Sequence, residues 1–334
     1  MASIVLGMGS SHGPQLGLPS DQWHRRAAAD RANPALWYRG QTYSFPDLLE
    51  LRGAERFTAD LGDEKARARF DACQRAIAHL AGTLDRVAPD VVVILGDDQH
   101  EVFEDENLPS LCVYWGDTIE DAPAEDETWG QAWMYTTAPH GNPPAARVAH
   151  PTDAALGRHL IEQLIARGFD VAHSRFLAPT HQHGTVGHAF YYVYRRLMNN
   201  RVRVNVPIFL NTYYPPNQVP IKRCYELGKA LRQAIEAWDS DKRVALVASG
   251  GLSHFVIEED LDEQIIAGLR EKDEAKLTSL PEARFNSGTS EIRNWVVVAG
   301  AMEGAELEMK LVDYVPCYRT EAGTGCAMTF AEWL

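Results

Sequence analysis

Apolar residues recur along this chain in two alternating rhythms. Ser3-Ile4-Val5-Leu6, Asp90-Val91-Val92-Val93-Ile94-Leu95 and residues 204–210 and 243–248 are short runs, rich in Val and Ile, that end in polar turns. Such runs predict buried strands, and those apolar on both faces predict central parallel ones. Between them the spacing changes to three and four residues. Ala66, Phe70, Cys73, Ile77, Leu80, Ala81 and Leu84 predict a helix over residues 63–87, stopped by Pro89. Another starts at Thr152 or Asp153 and carries Leu156, Leu160, Leu164 and Ile165. Further helices are predicted over 221–238, 258–269 and 271–280, and one opened by Ser287-Gly288-Thr289-Ser290-Glu291 runs to 301. Additional strands are predicted at 111–115, 169–172, 310–314 and 327–330. This alternation, with no internal repeat or linker, predicts one α/β domain over 1–334: three layers, α/β/α, around a mostly parallel or mixed sheet.

Two stretches lack a period. Residues 17–46 hold Trp23, Trp37, Tyr38, Tyr43 and Phe45 among several arginines. Long ordered loops in compact domains tend to cover functional sites, so a lid insertion at about 17–60 is one expectation; an aromatic-anchored surface wrap is the other. Residues 104–150 are rich in acidic and proline-containing loop.

Composition narrows the partners. The 334 residues are 45% hydrophobic and 23% charged, an ordinary globular balance, and the formal net charge is −14. That charge disfavours nucleic acid and anionic membranes as partners. The start of the chain lacks the pattern of a signal peptide, so a cytoplasmic location is expected. The five cysteines form no CxxC pair, which argues against a disulfide framework or a structural zinc site.

The chemistry collects after the strands. His12 lies in Ser10-Ser11-His12-Gly13-Pro14, His100 in Asp97-Asp98-Gln99-His100 and His254 in Gly250-Gly251-Leu252-Ser253-His254. Open α/β sheets bind ligands at the carboxyl edge of parallel strands. Glu291 stands at a predicted helix start. Two neutral imidazoles and one carboxylate on one face suit a non-haem Fe(II) site. Each residue alone also fits a plain structural role: a solvated loop histidine for His100, a helix-dipole partner for Glu291, a turn residue for His254, a helix cap for His183.

These motifs, with His183-Gly184-Thr185-Val186, Asn211-Thr212-Tyr213-Tyr214-Pro215-Pro216 and Lys222-Arg223-Cys224, occur in an order that resembles the class III extradiol ring-cleavage dioxygenases. Within that family the chain resembles the catalytic subunit of protocatechuate 4,5-dioxygenase and the gallate and 3-O-methylgallate enzymes. The resemblance implies that His12, His100 and Glu291 bind Fe(II), that His254 is the acid–base residue, and that His183 lies beside the substrate. It departs from the family in one register. The family's second ligand directly follows an aspartate, whereas here Gln99 separates Asp98 from His100; His100 is chosen because Gln is a poor Fe(II) ligand.

The implied activity is opening of a catecholic aromatic acid by O2, with protocatechuate, gallate or 3-O-methylgallate as the substrate type. A homo-oligomer, a dimer first, is expected. In that family a separate small subunit covers the protocatechuate enzyme's site, and residues 17–60 are expected to replace it. Lys222, Arg223 and Arg293 are candidates to receive a substrate carboxylate. Two other classes compete: a zinc hydrolase using the same donors, and a non-catalytic Memo-like binding protein.

Overall fold

A computed structural model describes residues 1–123, 141–180 and 184–334. In chain order its strands are β1 (Ser3–Ser10), β2 (Leu36–Tyr38), β3 (Gln41–Tyr43), β4 (Val91–Asp97), β5 (Leu111–Tyr114), β6 (Thr118–Asp121), β7 (Val148–Pro151), β8 (Ala172–Ser174), β9 (Asn205–Leu210), β10 (Arg243–Ser249), β11 (His254–Val256), β12 (Met309–Tyr318) and β13 (Thr324–Trp333). Its helices are α1 (Trp23–Ala32), α2 (Phe45–Arg52), α3 (Asp63–Val87), α4 (Ala154–Ala166), α5 (His188–Tyr192), α6 (Ile221–Glu236), α7 (Glu259–Glu271), α8 (Glu274–Thr278) and α9 (Ile292–Met302).

The main sheet runs β11-β13-β1-β10-β4-β9-β5-β8, with β12 paired to β13. Its centre, β1-β10-β4-β9, is parallel, and antiparallel pairs flank it. The α/β class expected from the alternating rhythms is therefore present, with a mixed sheet.

Side-chain alternation along β4 shows how the layers form. Val91, Val93 and Leu95 join a core built with α4, α6, α7 and α9, whereas Val92 and Ile94 point to the opposite core, with α3 and α5. A strand covered on both faces must be apolar on both, which is why β4 reads as an unbroken run. On the first face α6 and α9 meet at glycines. A Cβ on Gly228 would lie 1.9 Å from the Val297 carbonyl oxygen, and one on Gly300 2.1 Å from that of Tyr225; neither position accepts a side chain.

The parallel register brings the carboxyl ends of the central strands level: Ser10 lies opposite Ser249, and Asp97 opposite Leu210. This edge carries the site.

The stretch with no sequence period folds into α1, the β2–β3 hairpin and α2. Leu36, Tyr38, Phe45 and Leu48 pack with Val256 of β11 and Ala322 in a small core. Trp37 Nε1 donates to the Ala283 carbonyl at 3.0 Å, and Arg52 Nη1 to that of Ile257 at 3.0 Å. Buried Arg319 donates twice to Asp30 of α1, at 2.7 and 3.1 Å. The segment thus docks on the strand that His254 begins and on the β12–β13 turn.

Candidate metal centre

His12 reaches the site because β1 continues its path. Beyond Ser10, the Ser11 N–H still donates to Thr329 of β13 at 3.0 Å. The ring is then oriented by Ser249. That hydroxyl donates to the Ala189 carbonyl at 2.6 Å, so toward His12 Nδ1, 2.9 Å away, it acts as acceptor. Nδ1 therefore carries the proton, and the Nε2 lone pair faces the cluster.

Asp97 is the last residue of β4 and fully buried. Glu291 closes the turn before α9; its Oε2 accepts the Gly251 N–H at 2.6 Å and lies 3.4 Å from His12 Nε2. His188 opens α5. Glu101 grips it twice, accepting the His188 backbone N–H at 2.8 Å and Nδ1–H at 2.7 Å. A carboxylate on one ring nitrogen fixes the tautomer and presents the other nitrogen as the metal-binding one. That other atom, Nε2, lies 3.8 Å from Asp97 Oδ2.

Donor atoms of His12, Asp97, His188 and Glu291 all lie within 4.8 Å of one another, and all four residues are buried. Two carboxylates enclosed together demand positive charge. Burial, then the charge of Glu291, pushes the Asp97 carboxyl up. Burial also opposes ionisation of Glu291, but His254 and His12 overcome it and hold that carboxyl well below the usual range. For His188 burial favours the neutral ring, yet Glu101, Asp97 and Glu291 raise it to about 10. Asp97 Oδ1 is buried without a hydrogen-bond partner. A buried carboxylate oxygen without a hydrogen bond is costly in a folded protein, and Asp97 Oδ1 lies 4.0 Å from His12 Nε2. A divalent cation answers that demand, so this donor set fits a metal.

His254 stands at the edge of the cluster. Its Nδ1 donates to the Leu252 carbonyl at 2.7 Å, and Nε2 lies 3.3 Å from Glu291 Oε1. Burial favours the neutral ring, but Glu291 outweighs it and raises His254 to about 9. A Cβ on Gly288 would lie 2.3 Å from His254 Cδ2, so only glycine lets the turn before α9 close over the imidazole.

The other expected site residues fall elsewhere. His100 is not in the four-residue donor cluster. Asp98 accepts the N–H groups of Val102 and Phe103 at 2.9 and 3.0 Å, which curls the chain after β4. His100 takes a left-handed φ of 59°, stacks on Tyr214 at 3.8 Å between ring centres, and sets Nε2 3.6 Å from Asp105. Gln99 donates to Asp97 Oδ2 at 3.1 Å. His183 lies outside the described residues. Buried Arg293 is committed to the Val219 carbonyl at 2.7 Å and to Glu282 at 3.0 Å. Arg223, in the first turn of α6, lies over the Phe169 ring and donates to Glu226 and to the Gly168 carbonyl.

Sequence reasoning missed Asp97 and His188. Asp97 had a signal, since it is a charge closing an otherwise apolar buried strand. His188 had none nearby, because the carboxylate that orients it is 87 positions away.

A mixed α/β sheet with buried His, Asp, His and Glu donors at its carboxyl edge defines a candidate mononuclear metal centre. Residues 62–325 match the family model described as the catalytic LigB subunit of aromatic ring-opening dioxygenase, and the chain belongs to that family. It is 31% identical over 179 residues to a gallate dioxygenase of Pseudomonas putida, covering 48% of each chain. It is 26% identical over 185 residues to a 2,3-dihydroxyphenylpropionate/2,3-dihydroxicinnamic acid 1,2-dioxygenase of Comamonas testosteroni, covering 55% of this chain and 49% of that one. A protein of the same name from Photorhabdus laumondii is 26% identical over 212 residues, or 61% of this chain and 57% of the other. The matches thus span about half the length of these curated relatives. Among the described residues, no helix is long and apolar enough to cross a membrane.

Proposed function

We propose that this chain is a non-haem Fe(II) extradiol dioxygenase that opens a catecholic aromatic acid of the protocatechuate, gallate or 3-O-methylgallate type with O2. The observation that carries the proposal is the buried donor cluster with His254 Nε2 3.3 Å from Glu291. In this reading His12 and Glu291 bind iron as expected, His188 takes the second imidazole position in place of His100, and Asp97 supplies a second carboxylate. When bound, Fe(II) supplies the activation of O2 toward the ring.

The remaining work belongs to the protein. Ser249 and Glu101 hold the two imidazoles with their Nε2 atoms inward. Leu252 holds His254 Nδ1–H, so proton exchange with a phenol or a developing oxyanion falls to Nε2. His183 remains the proposed neighbour of the substrate. The domain is taken as one catalytic unit over 1–334, with residues 17–60 shielding the site by packing on β11.

The test is metal analysis of anaerobically purified protein, followed by oxygen uptake with a panel of catechols. One iron per chain and catechol-dependent uptake are expected. Oxygen-independent hydrolysis that requires zinc would overturn the proposal.

A further inference from the structure

Outside the donor cluster, another buried carboxylate lacks a cationic partner. Asp262 sits in the first turn of α7 and is fully buried. Its Oδ1 accepts the Ser253 N–H at 2.9 Å, and its Oδ2 accepts the Ser253 hydroxyl at 2.6 Å and the Tyr314 hydroxyl at 2.8 Å. Ser253 Oγ in turn accepts the Glu258 N–H at 2.8 Å. Removing a charge from water without a counter-charge is expensive, and burial pushes this carboxyl up to about 7. A buried Asn or Ser could serve a plain packing role at less cost. What the carboxylate adds is a two-point grip on one residue, Ser253, which is bonded directly to His254.

The other side of His254 is held as firmly. Thr289 Oγ1 accepts the His254 N–H at 3.1 Å and donates to the His254 carbonyl at 2.9 Å. Thr289 belongs to the same turn as Glu291. It therefore ties the imidazole to the metal side of the site, while Asp262 ties it to α7. We propose that Asp262 is a positioning residue for His254: by clamping Ser253 from both its amide and its hydroxyl, it fixes where the imidazole stands relative to Glu291. The proposal rests on the reading of His254 as the acid–base group.

Asp262 also meets Tyr314, which gives an internal control. Asp262→Asn weakens the grip on Ser253, whereas Tyr314→Phe removes one donor and leaves both Ser253 bonds in place. A misplacement of about 1 Å at a reacting group costs on the order of 10²-fold in rate. In the iron-loaded protein, Asp262→Asn is expected to lower kcat by up to about that factor, with iron content and anaerobic catechol binding unchanged. Tyr314→Phe is expected to lower thermal stability with kcat preserved. Ser253→Ala, which removes only the hydroxyl bond, serves if Asp262→Asn does not fold. Crystal structures of the variants read the geometry without reference to activity. A displaced or multiply placed His254 ring in Asp262→Asn supports the proposal; Nε2 unmoved from Glu291 overturns it, as does an equal loss of kcat in Tyr314→Phe. A wild-type protein inactive toward every catechol sinks the ring-opening reading alone, and the ring position still decides the role of Asp262.

Discussion

β1 and β4 look alike as sequence: each is a buried run that opens into a polar loop containing a histidine. They deliver their histidines to different places. After β1 the ladder to β13 continues through Ser11 and Thr329, and His12 follows it into the site. After β4 the Asp98 carboxylate captures Val102 and Phe103, the chain curls, and His100 ends against Tyr214 while Glu101 swings inward to His188. The strand's own last residue, Asp97, then joins the candidate donor cluster. What decides whether a loop residue reaches a site is where the next few backbone amides find partners, not its distance from the strand.

The largest expected effect is on metal content. His12→Ala, His188→Ala and Glu291→Ala should each strip the iron, while His100→Ala should keep it; elemental analysis of protein purified anaerobically reads all four. Iron lost from His100→Ala and retained in His188→Ala would break the contrast between the two loops. The end of β10 extends the comparison to a third strand, where a Gly-Gly loop carries His254 to the cluster's edge. His254→Ala should keep iron and bind catechol anaerobically, but slow turnover by about 10²–10⁴-fold. Near-normal oxygen consumption would make His254 a bystander.

Glu101 supplies the finer test. Outer-shell partners of metal-binding histidines are worth roughly 10–100-fold in metal affinity. Glu101→Gln, which can accept only one of the two His188 bonds, should weaken iron binding by about that factor in a chelator competition. Unchanged affinity would mean that His188 needs no orienting carboxylate.

The smallest effect is on stability against pH. Burial raises the Asp262 carboxyl to about 7, against an ordinary value of about 3.9. Between about pH 4 and 7 the folded protein therefore holds a proton there that the unfolded chain has released. The associated stability is present below about 4 and lost as pH rises through about 7. Ser253, Tyr314 and Glu258 face this carboxyl and none is cationic. Denaturation midpoints of wild type and Asp262→Asn should diverge in favour of the variant as pH rises from about 4 to 8. Parallel curves would contradict the raised value.

Much of this frame was legible because it obeys a period. Residues 63–87 form α3 as expected, and β4, β9 and β10 fall on their apolar runs. The strand expected at 169–172 instead forms at Ala172–Ser174, as an edge strand whose residues are mostly exposed and carry little pattern. β13 is longer than its apolar stretch because its polar residues are buried with partners: Glu332 accepts from Thr83 at 2.7 Å, and Thr324 donates to Asp30 at 2.7 Å. The helices and hairpin of 17–60 were illegible because their buried residues, among them Trp23, Leu36, Tyr38, Phe45 and Leu48, follow no single period, and because Arg52 and the Arg319–Asp30 pair help anchor them. At the site, His12 and Glu291 sit directly on predicted element ends. Asp97 and His188 depend on a loop curl and a long-range ion pair, which no local pattern encodes.

The Arg319–Asp30 pair seals the 17–60 segment onto the β12–β13 turn. Stripping one partner from a buried ion pair costs about 3–5 kcal/mol, because the other is left charged and enclosed. Arg319 lies in the β12–β13 turn, close to Gln15, to which it donates at 2.9 Å. Removing residues 17–60 would leave Arg319 without Asp30, and a neutral residue at 319 would leave Asp30 without its guanidinium. The segment and Arg319 form one structural unit, so a graft of residues 17–60 onto another chain must carry both.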